Sequence, residues 1–429
     1  MITDTYLKQW EEARPRIEAG IEKHRKGDAV VRVLDRNGKP LAGQPVQVEQ
    51  IASSFLFGAN LFMIDAYQGE QVRRYEQAYT RLFNAGTIAL YWRDLEPLPG
   101  QLRFDKSSPF IRRRPPVDVS IEFARRNGLN INGHPLVWDF KRWSTPDWLT
   151  NEASIEGSVW ERRIAQIAER YGDAVPRWDV VNEVLMSPAR LEKGLSHPMP
   201  PDYARLGFKW AEKYLPKSAH LMINEVSSLW ARDREAYYQL IDRLINDGAK
   251  IDGIGLQLHL FRDEDIIKVG AGELYTPSQM LEVLDCFAAF KRPLHISEIT
   301  LTSPKSHPEG RQLQAAVARD FYRLWFSHPA VHAITWWNVP DGGAAPGEDS
   351  VDSGLLDANL NPKPAYEALD QLLNGEWRTR LALTTDSQGI ARFRGFHGSY
   401  RLECDGAQAT FDLPARADGT VVDTEVRLS

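Results

Sequence analysis

Between residues 54 and 375, eight short apolar segments alternate with helix-length segments, and this alternation limits the fold more than any other feature. The strand candidates are Phe55–Phe62, Gly86–Trp92, Leu129–Trp138, Arg177–Glu183, His220–Val226, Ile251–Leu260, Pro293–Leu301 and Ala333–Val339. Between them lie helical patterns over Gly69–Phe83, Val117–Arg126, Ile155–Tyr171, Asp233–Asp247, Thr276–Phe290 and Gly310–Ser327. Several close on Asn-Gly or Asp-Gly, as at Asn127-Gly128 and Asp247-Gly248, which are helix-stop signals. Strands that read as continuous apolar runs are buried on both faces, as in parallel sheets covered by helices. Eight such units predict an α/β fold, a closed (β/α)8 barrel of the TIM type. A doubly wound sheet fits less well, because no GxGxxG or Walker-type glycine loop follows the first strand.

The flanks have a different texture. Residues 1–27 read as a charged amphipathic helix with a pause at Pro15. Residues 28–53 alternate Val31, Val33, Val46 and Val48 with polar residues around an Asn37-Gly38 turn, which predicts a β-hairpin. Residues 54–375 are assigned to the barrel. Residues 376–429 carry five short strand patterns, expected to form a small antiparallel accessory β unit, sandwich-like if the early hairpin completes it.

Composition excludes some functions. The net charge is −6, and nothing in it favours nucleic acid or an anionic membrane surface as partner. The chain shows no run of 18 apolar residues, so no membrane partner is expected. Its charged N-terminus lacks the apolar core of a signal peptide, which reads as a cytoplasmic protein, or one secreted after its leader is removed. Cys286 and Cys404 are too far apart, and too isolated, for a disulfide framework or a Cys/His metal site, and neither metal nor cofactor is expected.

Barrel enzymes place their chemistry at the C-terminal strand ends. Here those ends carry His134 and Trp138, Asn182 and Glu183, Asn224 and Glu225, Gln257 and His259, Glu298, and Trp336 to Asn338. Two of the strands, Trp178–Glu183 and Leu294–Glu298, are apolar runs that finish in a carboxylate. Paired carboxylates suit glycoside hydrolysis. One protonates the leaving oxygen, and the other attacks or activates water at an oxocarbenium-like centre. Tryptophans beside them offer flat apolar faces to sugar rings.

Taken together, FGAN, YWRDLEPLPGQLRF, GHPLVW, WDVVNE, IDGIGLQLHL, SEI and GLLDANLNPKPAYEAL resemble the family 10 glycoside hydrolases, the xylanase family. The resemblance covers about residues 55–375. It implies a retaining glycosidase, an endo-1,4-β-xylanase or a relative, acting on a poly- or oligosaccharide. Glu183 would be the acid/base, with a raised pKa, and Glu298 the nucleophile. His134, Trp138, Asn182, Gln257, His259 and Trp337 would line the cleaved sugar, with Tyr91 and Asn224 beside them. The departures bear on substrate. The family's polar strand-two pattern is here Thr87-Ile88-Ala89-Leu90-Tyr91-Trp92, which retains only the Trp. Thr300 stands in place of an Asp, and Asp139 in place of a His. The same chemistry on a different β-glycan or on an aglycone glycoside, and a non-catalytic glycan-binding protein, therefore remain as alternatives.

Overall fold

The computed structural model describes residues 2–226, 230, 233–415 and 421–428. In chain order the strands are β1 (Lys26–Leu34), β2 (Pro45–Ser53), β3 (Leu56–Asn60), β4 (Ala85–Ala89), β5 (Asn130–His134), β6 (Arg177–Asn182), β7 (His220–Glu225), β8 (Gly253–Leu260), β9 (Leu294–Leu301), β10 (Val331–Trp336), β11 (Arg380–Thr384), β12 (Ile390–Phe396), β13 (Gly398–Cys404), β14 (Ala407–Leu413) and β15 (Val422–Arg427). Strands β3 to β10 close into a barrel, with β10 pairing parallel to both β9 and β3. Every residue of β6 and of β9 is buried, as expected of strands covered on both faces.

Close packing inside the ring depends on glycine. A Cβ on Gly133 of β5 would lie 2.5 Å from the Trp178 ring of β6, so the large indole of WDVVNE is seated on a residue without a side chain. The helices match their sequence patterns except one. The segment expected as a single helix over 155–171 divides into Asn151–Glu156 and Ser158–Tyr171, because Gly157 adopts a left-handed conformation between them.

The N-terminal helix α1 (Asp4–Arg25) runs without interruption through Pro15. It lays Tyr6, Trp10, Ile17 and Ile21 against the barrel, and the Tyr6 hydroxyl donates to Asp320 on the helix Gly310–Ser327. At its end Arg25 donates to the carbonyls of Phe326, His328 and Val331, satisfying acceptors just beyond that helix.

The expected 28–53 hairpin does not form. β1 and β2 lie in different sheets: β1 pairs with β12 and β15, β2 with β11 and β13. The alternation was read as one strand facing its neighbour; instead Val31 and Val33 face Val46, Val48, Tyr400 and Leu402 in a core between two sheets. The unit is not wholly antiparallel either, because β1 and β15 run parallel. Its aromatic residues Phe393, Tyr400 and Phe411 are turned inward. Trp377 stacks on Phe326 of the barrel at 4.1 Å between ring centroids and joins the two parts.

Candidate active site

The C-terminal mouth of the barrel holds a cavity of about 100 Å³. Glu183, Glu298, His134, Trp138, Asn182, His259, Trp337 and Tyr91 all line it. Its aromatic rings form an apolar cluster of their own, apart from the barrel core: Phe62, Tyr91, Trp138 and Trp337, with Phe140 and Trp143 against them.

Asn224, at the end of β7, is the hub of the polar residues. Its Nδ2 donates to Glu298 Oε1 and to Asn182 Oδ1, both at 2.9 Å, and its Oδ1 accepts from the Ser297 hydroxyl at 2.5 Å. Gln257 Nε2 also donates to Asn182 Oδ1, at 3.2 Å. With two amides on its oxygen, Asn182 keeps its NH2 as the donor for a ligand. Gln257 acts through Asn182 and His259, behind the cavity lining.

Two histidines flank Glu298. His259 Nε2 lies 3.2 Å from Gln257 Oε1 and 3.4 Å from Glu298 Oε2, while its Nδ1 lies 2.8 Å from the Thr300 hydroxyl. The partners fix the tautomer: Thr300 donates to Nδ1, and Nε2–H points at two oxygens. Burial pushes the ring down to about 4, so it is neutral. On the other side, His134 Nδ1 donates to Asp179 at 2.7 Å, and its Nε2 stands 3.8 Å from Glu298 Oε1. Burial pulls His134 down, but the Asp179 hydrogen bond and the charge of Glu298 outweigh it and raise the ring above its ordinary value. Burial first, then repulsion from Glu183 and Asp179, raises Glu298 well above the usual carboxylate range against the pull of His134. His134 and Glu298 are thus coupled: the charge of each favours the ionised form of the other, against the burial that opposes both.

Glu183 follows β6 in a left-handed conformation at φ 53°, with its N–H donating to the Asn224 carbonyl. Trp138 Nε1 donates to its carboxylate at 3.2 Å. Arg190, from the short helix Ser187–Glu192, also bonds that carboxylate and faces Asp139 at 3.5 Å. Burial raises Asp139 to about 6. Glu225, next to Asn224, accepts from the N–H groups of Leu185 and Val226 and so pins the turn after Glu183; burial raises it to about 8. Burial thus raises Glu298, Glu225 and Asp139 around this mouth.

Several participants were not singled out in the sequence. Asp179 lies inside WDVVNE, and its signal was there: a charged residue in an otherwise apolar, fully buried strand. Arg190 comes from a helix of only six residues, and Arg114 and Glu348, which line the cavity, come from irregular segments without periodicity.

A parallel eight-stranded barrel with two carboxylates and an aromatic-lined cavity at its C-terminal mouth defines a glycosidase of the TIM-barrel class. Residues 53–372 match the model of Glycosyl hydrolase family 10, and the chain belongs to that family. It is 27% identical over 320 residues to endo-1,4-beta-xylanase B of Thermotoga neapolitana, covering 72% of this chain and 85% of that protein. It is 24% identical over 395 residues to anti-sigma-I factor RsgI6 of Acetivibrio thermocellus, covering 89% of this chain but only 45% of that protein. The fold is shared with xylanase 10B of Thermotoga maritima, with a TM-score of 0.60 at 24% identity over 75% of this chain and 96% of that one.

Proposed function

We propose that the protein is a retaining β-glycosidase, xylanase-like in its chemistry, that hydrolyses β-linked glycans by double displacement. The observation that carries this reading is the asymmetric support of two carboxylates on one small cavity. Glu298 is held by Asn224 and set between His134 and His259, as suits a nucleophile that must be aimed and must hold its charge away from water. Glu183 is the more exposed of the two and lies against Trp138 and Arg190, as suits a group that exchanges protons with a departing alcohol and then with water.

The steps follow from these positions. Glu298 attacks the anomeric carbon while Glu183 gives its proton to the glycosidic oxygen. A covalent glycosyl-enzyme forms on Glu298. Glu183, now a base, takes a proton from water, which attacks from the face the leaving group left and displaces Glu298 on the opposite face, so two inversions give retention. Asn182 donates through its NH2 to a sugar hydroxyl, a bond that strengthens as positive charge develops at the ring.

The test is a panel of β-linked oligosaccharides and aryl β-glycosides, with wild type run beside Glu298→Ala and the product anomer followed by proton NMR. Turnover with retention that disappears in Glu298→Ala is expected. First-formed product of inverted configuration would refute the mechanism. A second reading is a glycan-binding protein without catalysis, whose aromatic-lined cavity would hold a sugar without cleaving it. It predicts that wild type binds but does not turn over any member of the panel.

A further inference from the structure

The far wall of the cavity is not made by the barrel strands. No residue of β4 itself lines the cavity; Tyr91, just beyond the strand, does. The wall comes instead from residues 105–116 and from the loop after β10, residues 341–349. The Arg114 guanidinium lies 3.9 Å from the centroid of the Tyr91 ring, and its Nε donates to Asp94 at 2.8 Å. Arg113 donates to Asn338 at the end of β10 at 2.9 Å, and Arg112 to the Gly342 carbonyl. Arg142 holds the Pro346 carbonyl at 3.2 Å from the other side. The loop after β10 is therefore fastened from two directions.

The position of this wall follows from the strand order. β10 is four strands from β6 whichever way the ring is followed, so the loop after β10 lies diametrically across from Glu183. Tyr91 packs its edge against His134, the neighbour of Glu298, at 5.7 Å between ring centroids. In the proposed reaction the leaving group departs on the Glu183 side, and the sugar under attack lies over Glu298. Any further sugar on its non-reducing side must pass Tyr91, Arg114 and Glu348.

The polar inventory of the wall is incomplete. Among the described residues Glu348 Oε2 is buried without a hydrogen-bond partner, and Glu348 and Arg114 line the cavity. Unpaired buried polar atoms are costly, and a carboxylate oxygen left open on the cavity wall is matched by a sugar hydroxyl group.

We infer that Arg114 and Glu348 hold the hydroxyls of a chain-terminal sugar and that their wall ends the binding site there, so the enzyme removes single sugars from non-reducing ends instead of cutting within chains. This rests on the glycosidase reading above and adds the direction and unit of cleavage.

The experiment uses the full chain with β-1,4-linked xylo- and gluco-oligosaccharides, trimers to pentamers, labelled at the reducing end. The expected first products are free monosaccharide and a labelled chain one unit shorter. An unlabelled disaccharide or longer fragment among the first products would overturn the inference while leaving the glycosidase reading intact. Absence of any cleavage, aryl β-glycosides included, would instead overturn the reading on which it rests. Glu348→Gln, a shape-conserving change in a surface loop, is expected to raise KM for an aryl glycoside about ten-fold with kcat within about two-fold, the effect of one charge-assisted hydrogen bond. An unchanged KM removes Glu348 from sugar recognition. Arg114→Ala is expected to open the wall, so that disaccharide joins the first products.

Discussion

Arg190 reaches back seven residues to bond both the carboxylate and the main-chain carbonyl of Glu183. The same guanidinium faces Asp139, whose other oxygen accepts from the Ser187 hydroxyl. One buried cation is thus shared by two acidic side chains, and Glu183 is aimed by a residue outside the barrel strands. Removing one member of a buried ion pair costs about 3–5 kcal/mol because the other is left uncompensated. Arg190→Ala is therefore expected to lose about that much stability by urea unfolding. Its kcat should fall most on glycosides with poor leaving groups, which need the acid, and least on activated aryl glycosides. Arg190→Lys keeps the charge but cannot span both partners, so it should recover only part of the loss. Equal loss on both substrate types would mean that Arg190 is structural only.

The Thr300 hydroxyl determines the state of His259. As a donor to Nδ1 it orients the imidazole with Nε2–H toward Glu298, while burial lowers the ring to about 4 and so keeps it neutral. A carboxylate at that position would favour the imidazolium and raise the ring by about 1–3 units. Thr300→Asp is expected to show this rise in an NMR titration of the His259 ring protons. Thr300→Val should leave the titration low but cut kcat/KM about ten-fold, because Nδ1 loses its partner. An unaltered titration in Thr300→Asp would refute the assigned tautomer.

Most of the barrel was legible because its strands are buried on both faces and its helices are amphipathic, so period and length separate them cleanly. Glu183 and Glu298 were legible for the same reason: each ends an apolar run. The 28–53 segment misled because alternation reports only that one face is buried. It does not say whether the next strand in sequence is the partner, and Val31 and Val46 lie across a sandwich instead of along one sheet. Arg114 and Glu348 were hidden for a different reason. They reach the cavity through loops whose course is set by tertiary hydrogen bonds such as Arg112 to Gly342, which leave no periodic trace.

Glu225 makes stability depend on pH. Its folded value is raised by burial from about 4.5 to about 8, so the folded protein holds a proton that the unfolded chain releases in that window. Stability from this group is full below about 4.5 and is lost as pH rises toward 8. At about 1.36 kcal/mol per unit the loss is of order 5 kcal/mol. Glu225→Gln cannot ionise, so the variant should gain stability relative to wild type between pH 5 and pH 9 by urea unfolding. Parallel pH profiles for the two proteins would show that Glu225 is already ionised in the fold.

Gly255 tests whether Asn224 acts as the hub of the site. It lies on β8 in register with Asn224 on β7, and a Cβ there would overlap the Asn224 side-chain oxygen. That oxygen already accepts from Ser297, and the same amide holds Glu298 and Asn182. Gly255→Ala must push the Asn224 amide aside, because the backbone of β8 is fixed by its neighbours on both sides. The overpacking should cost about 1–3 kcal/mol of stability. The larger effect is expected on catalysis, since Glu298 loses its aim and Asn182 one of the two donors that orient it. A fall in kcat of about 10²-fold or more is expected, the scale of a misplacement near 1 Å. Asn224→Asp, which keeps the shape but replaces the donor with a repelling carboxylate, should match or exceed that loss without the steric cost. If Gly255→Ala turned over substrate at the wild-type rate, Glu298 would have to be positioned by His134 and His259 alone.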